Sequence, residues 1–198
     1  MVPPDRTKAL AQLARVFFEI QAGMLLCAEK DPRTATLMLL YSGIDIGGWI
    51  GARGASKMVQ ASFTDWVDRY IGPEKALGCT ALDLYGARCG VVHTFTPVST
   101  LFRTGKAKKV IYAWLPSRVD DLRDMTGMLP SAGEYVAIQG DSLIEAFGSG
   151  VKAFLGDINQ LPTEELQAIT AKIFTLMPSR QAEGLLQLGR AAFGENRP

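Results

Sequence analysis

Between Leu37 and Ile50 the chain reads LMLLYSGIDIGGWI, and Asp45 is the only charged residue in that stretch. A helix of this composition is apolar on nearly every side, so other elements must cover it all round. It is too short to cross a bilayer, which takes about 20 apolar residues. The cover must therefore come from the same chain. That demand selects a helix-on-helix architecture with residues 37–50 at its centre.

The flanking sequence supplies the covering helices. Over 5–29, Leu10, Leu13, Phe17, Ile20 and Met24 recur at three- and four-residue spacing and predict a long amphipathic helix. Asp31-Pro32 reads as a break and restart, with Asp at the N-cap and Pro at the first helical position. Gly43, Gly47, Gly48, Gly51 and Gly54 lead into no Gly-Lys-Ser/Thr and form no G-x-G-x-x-G. They read as close helix packing rather than a phosphate loop. Ser56 is placed to cap a third helix with Phe63, Trp66, Val67 and Tyr70 as its buried stripe, ended by Gly72-Pro73. A fourth runs from about Thr80 to Phe95, where Thr96-Pro97 stops it.

After Pro97 the texture changes. KKVIYAWLP and EYVAIQG are β-branched and aromatic runs bounded by Pro and Gly, which predict two short strands. A short polar helix is expected between them over Ser117–Gly127. Three more helices are expected beyond: one capped by Asp141 and running to about Ile158, one starting at Thr163, and an amphipathic one ending near Phe193. The fold class expected is mostly α, a four-helix bundle over 1–96 with a C-terminal α+β elaboration over 97–198, packed as one body.

Several function classes are excluded or disfavoured. The net charge of +1 gives the whole molecule no general attraction to nucleic acid or membrane. Three cysteines without a C-x-x-C pair, and no basic and apolar leader pattern, predict a reduced, cytoplasmic protein without a membrane anchor. No metal-ligand spacing and no cofactor motif appears, so neither is expected.

The chemistry-bearing stretch is DLYGARCGVVHTF, residues 83–95, which holds the only histidine. Histidine exchanges protons near neutrality, and arginine's permanent charge and planar fork suit a phosphate. Arg88 and His93 together fit RNA cleavage without a metal, because the ribose 2′-OH supplies the nucleophile. Five residues along a helix are about 140° of rotation and about 7.5 Å of rise. The two side chains therefore converge only if the helix loosens before Pro97 or two copies face each other across a two-fold axis. The competing reading makes Arg88 a solvated or paired residue and His93 a hydrogen-bonded helix-end residue.

This stretch, on the last helix of an N-terminal four-helix unit, resembles the HEPN superfamily, whose hallmark is Arg, four to six residues, then His. LLYSGIDIGGW, with Tyr41 and Asp45 facing inward, is similar to that family's second core helix. The resemblance covers residues 5–96. It implies a dimer with the active site at the interface. It also implies a metal-independent endoribonuclease of toxin or defence type, or else a non-catalytic interaction or nucleotide-sensing module. RNA and an antitoxin or other protein would be the partners. Arg88 carries over as the phosphate group's partner and His93 as the general acid/base. Cys89 stands where the family often has Asn, Asp or His, and Phe95 where many toxins have Tyr.

Three further expectations surround the pair. Asp83, one and a half turns before Arg88, is placed to orient or to quench it. Cys89 reads as a small buried apolar residue, with a redox-sensitive thiol as the alternative. From Leu84 to Val119 there is no acidic residue but there are six basic ones. Arg103, Lys106, Lys108 and Lys109 in that segment read either as a ledge for RNA phosphates, with Phe102 or Tyr112 to stack on a base, or as a solvated turn before an edge strand.

Overall fold

The computed structural model describes residues 6–29, 33–52, 58–94 and 98–175. Within them the fold is mostly helical with one small parallel sheet. Helix α1 (Arg6–Glu29) lies against α2 (Arg33–Gly51), and α3 (Val59–Tyr70) covers another side of α2. A single-turn helix α4 (Pro73–Leu77) leads into α5 (Ala81–Thr94), which packs on both α2 and α3. The short α6 (Thr100–Arg103) precedes strand β1 (Lys109–Ala113). Helix α7 (Val119–Gly127) joins β1 to strand β2 (Tyr135–Gln139). The long α8 (Gly140–Gln160) and then α9 (Thr163–Thr175) complete the described chain.

As its composition requires, α2 is the central element, touched by α1, α3, α5, α8 and α9. Its glycines permit the close approach. A Cβ on Gly48 would stand 2.6 Å from the Ser62 carbonyl oxygen, and one on Gly43 would stand 2.5 Å from the Phe147 ring. The first obstruction is backbone, which has no rotamer by which to retreat, so α2 and α3 can touch here only through glycine. The packing reading of these glycines is the one the structure supports, with Gly54 outside the described residues.

The core crosses the boundary expected near residue 96. Phe147 and Phe154 on α8 are fully buried and meet Phe17 of α1 at ring separations of 6.4 and 6.0 Å. Both also pack on Trp66 of α3. One continuous apolar cluster runs from Ala9 to Ile173. Helix α8, from the C-terminal half, thus supplies a wall of the bundle.

In the sheet, Lys109 pairs with Tyr135 and Ala113 with Gln139, in parallel register. The Tyr41 and Tyr112 hydroxyls, 2.5 Å apart, tie β1 to α2. Two short helices, α4 and α6, were not expected. Helix α8 starts two residues earlier than Asp141 would allow as a cap: Gln139 is the N-cap, and the Asp141 carboxylate accepts from the Leu115 N–H and the Gln139 side chain. Helix α3 follows Met58. Asp31-Pro32, Ser56, Thr96-Pro97 and the helix expected to end near Phe193 lie outside the described residues.

Helix α1 is long and apolar enough over Arg6–Ala28 to meet the length and composition of a membrane-crossing helix. Ala9, Leu13, Phe17 and Met24 nevertheless sit in the bundle core, while Phe18, Leu25 and Leu26 are exposed.

Candidate functional site

The start of α5 is built by a reciprocal cap. Thr80 donates through both its backbone N–H and its hydroxyl to Asp83 Oδ2, at 2.9 and 2.7 Å. The Asp83 N–H donates back to the Thr80 hydroxyl at 3.1 Å. This is the capping-box arrangement with aspartate in the third helical position. The other carboxylate oxygen of Asp83 accepts the Lys108 N–H at 2.6 Å. Asp83 is buried and serves the helix start and the basic turn. The structure therefore corrects its expected role: it is not the carboxylate that meets Arg88.

That carboxylate is Asp45, on the central helix. Arg88 donates from Nε and Nη2 to Asp45 Oδ2, at 2.8 and 2.7 Å. The two side chains are 14% and 23% exposed, so the pair is half-shielded from water and its geometry matters. Burial works against the charge on Arg88, but hydrogen bonding and attraction to Asp45 prevail and hold its pKa above the ordinary arginine value. The guanidinium also lies 5.9 Å from the Tyr85 ring, which stacks edge-on against Phe63.

Cys89 completes this group. It is half-buried, and its thiol interacts with both Tyr85 and Arg88 rather than only filling apolar space. Burial, and after it the neighbouring Cys89, raise the Tyr85 pKa. His93 belongs to the last turn of α5, and its side chain lies outside the described residues.

Tyr41 sits one helical turn before Asp45 but does another job. It is fully buried, and its hydroxyl meets Tyr112. Burial, then Tyr112, push its pKa well up. Nearby Cys79 is pushed up to about 12, by burial first and by Asp83 second. This is an uncharged joint between α2, β1 and the foot of α5. Tyr112 is committed to that joint, so it does not serve as a base-stacking platform.

The basic segment lies on the other side of α5. A Cβ on Gly86 would meet Ala107, Ser99 and Leu101, so the 99–108 turn packs against the face that carries Asp83 and Gly86. Arg88 is about 200° round the helix from Gly86. The basic segment follows Arg88 closely along the chain, but the fold sets the two on different faces of α5. Lys109 also differs from its expected role. Its ammonium lies over the rings of Phe102 and Tyr135, at 6.0 and 5.3 Å, and pins α6 to the sheet. Arg103, Lys106 and Lys108 line a cleft of about 580 Å³ with Thr80, Phe102 and Glu134. Glu134 was not singled out in the sequence, because nothing local marks it.

Among the described residues, no three His, Cys, Asp or Glu side chains come together as metal ligands. Comparison of the chain with protein-family models, with curated proteins and with solved structures finds no match.

Proposed function

We propose that the protein is a metal-independent endoribonuclease, similar to the HEPN superfamily, that acts as a homodimer in the cytoplasm through Arg88 and His93. The observation that carries this reading is Arg88 itself: a charged guanidinium, oriented by Asp45, on the helix that bears the only histidine. His93 takes the proton from a ribose 2′-OH as its oxygen attacks the adjacent phosphorus, and a proton is delivered to the departing 5′-oxygen. Arg88 balances the charge that builds on the phosphate oxygens. The bond formed is the cyclic 2′,3′ ester; the bond broken is to the 5′-oxygen. The offset of about 140° between the two residues calls for a second copy, with α5 near the two-fold axis.

Cleavage of single-stranded RNA in excess chelator tests this, with 2′,3′-cyclic phosphate and 5′-hydroxyl ends as the expected products. DNA of the same sequence should remain intact, since it lacks the nucleophile. His93→Ala and Arg88→Lys should each lower cleavage by about 100-fold or more. Intact RNA from pH 6 to 8, with no inhibitor bound, rejects the proposal.

A second reading is favoured by the same ion pair. Asp45 neutralises Arg88, and an incoming phosphate has to compete with a carboxylate that already holds two of the guanidinium's five donors. On this reading the pair is a brace between α2 and α5 in a non-catalytic dimeric interaction module.

A further inference from the structure

The cleft beneath the basic turn is separate from Arg88 and has a chemistry of its own. It is lined by Arg103, Lys106, Lys108, Thr80, Phe102 and Glu134, with a volume of about 580 Å³. That lies within the roughly 300–1,000 Å³ typical of small-molecule sites. Among the described residues Arg103, Lys106 and Lys108 form no ion pair, whereas Arg15, Arg69, Arg88 and Arg123 each hold a carboxylate. Three unpaired cations around one concavity repel each other until an anion arrives.

The walls limit what that anion is. The turn's backbone is already spent: the Lys106 and Ala107 N–H groups donate to the Leu101 carbonyl and the Lys108 N–H donates to Asp83. Among the described residues the turn leaves no cradle of amides for a chain of phosphates, so recognition falls to the cationic side chains. Asp83, which also borders the cleft, has its carboxylate occupied by Thr80 and Lys108. Glu134 is exposed and stands on the same cleft with an oxygen acceptor. Two carboxylates against three cations disfavour a polyphosphate. They suit a single phosphate attached to a group with hydroxyls to donate.

We infer that this cleft binds a sugar phosphate monoester, with Arg103, Lys106 and Lys108 on the phosphate and Glu134 accepting from the sugar hydroxyls. Such a group occurs in a free nucleoside or sugar monophosphate and at the 5′-phosphorylated end of an RNA. The cleft lies on the face of α5 turned away from Arg88, so this inference does not depend on the ribonuclease reading.

Titration calorimetry with ribose 5-phosphate, ribose and inorganic phosphate tests it on the full chain. Ribose 5-phosphate should bind saturably, and at least about tenfold more tightly than either component. Lys106→Ala and Arg103→Ala should each weaken it by about tenfold, and Glu134→Ala, which removes the acceptor, should abolish the preference for ribose 5-phosphate over inorganic phosphate. Arg88→Lys should leave the binding unchanged, which separates failure here from failure of the ribonuclease reading. An RNA oligomer with a 5′-phosphate, measured against its 5′-hydroxyl form, identifies the source: a preference for the phosphorylated end beyond that for ribose 5-phosphate assigns the cleft to RNA ends, and equal or weaker binding assigns it to free monophosphates. Absence of saturable binding by ribose 5-phosphate, or binding no tighter than that of inorganic phosphate, overturns the proposal.

Discussion

Arg88 and the Arg103–Lys108 turn carry the same sign of charge on opposite faces of α5. Arg88 is half-buried and held by Asp45. Arg103, Lys106 and Lys108 stand exposed around a cleft, and among the described residues their side chains form no ion pair. A charge drawn out of water must be paired where it stands, and its pairing makes it part of the fold. A charge left in water contributes little to stability and stays available to a ligand. The difference teaches that chain position is a poor guide to shared function here: the two regions are neighbours along the sequence and back to back in the fold.

The widest contrast expected concerns the cysteines that flank the two faces. Cys79, pushed up to about 12 by burial and then by Asp83, has a thiolate fraction on the order of 1 in 10,000 at pH 8. Iodoacetamide at that pH should label Cys89 and leave Cys79 unmodified, as read by peptide mass spectrometry. Equal labelling would mean that the foot of α5 opens. Because the folded-state pKa is raised, the native state holds this proton more tightly than the unfolded chain. The stabilisation is full below the ordinary thiol value near 9 and is lost as pH rises toward 12. Cys79→Ala should flatten alkaline unfolding in that window.

Breaking the Arg88 side comes next. Asp45→Ala leaves a half-buried guanidinium without its partner and should cost about 3 kcal/mol in urea unfolding. The double variant Asp45→Leu/Arg88→Met should recover most of the loss. A silent Asp45→Ala would show that the brace carries no stability.

On the opposite face, Asp83→Ala removes one half of the capping box and leaves the part-buried Lys108 N–H without its acceptor. It should cost about 2 kcal/mol and loosen the basic turn, visible as faster amide exchange from 104 to 108. The smallest effect belongs to Lys106→Ala, at under about 0.5 kcal/mol. A larger loss would mean that the turn's charges are structural after all and that the two faces do not differ as described.

Much of the architecture was legible because it rests on local patterns. The apolar run of residues 37–50, the stripe Phe63–Trp66–Val67 and the two β-branched runs each declare a period and a buried face. The helices α4 and α6 were not legible, since one turn is too short to show a period. In the candidate site Arg88 and Asp45 were both picked out from the sequence, but their partnership was not. Asp83 was the nearer carboxylate along the chain, and the helical offset between it and Arg88 is about the same 140° that separates Arg88 from His93.

The amino-acid sequence by itself determined that this chain buries a central helix among others and follows it with a strand–helix–strand unit. Hydrophobic period and turn chemistry are properties of neighbouring residues, so they can be read without coordinates. Only the tertiary structure decided that α8 supplies a wall of the bundle, that Asp45 rather than Asp83 takes Arg88, and that the basic turn doubles back onto the far face of α5. Each of these joins residues distant in sequence. Which carboxylate a guanidinium reaches, and which face a loop covers, are set by how whole helices pack.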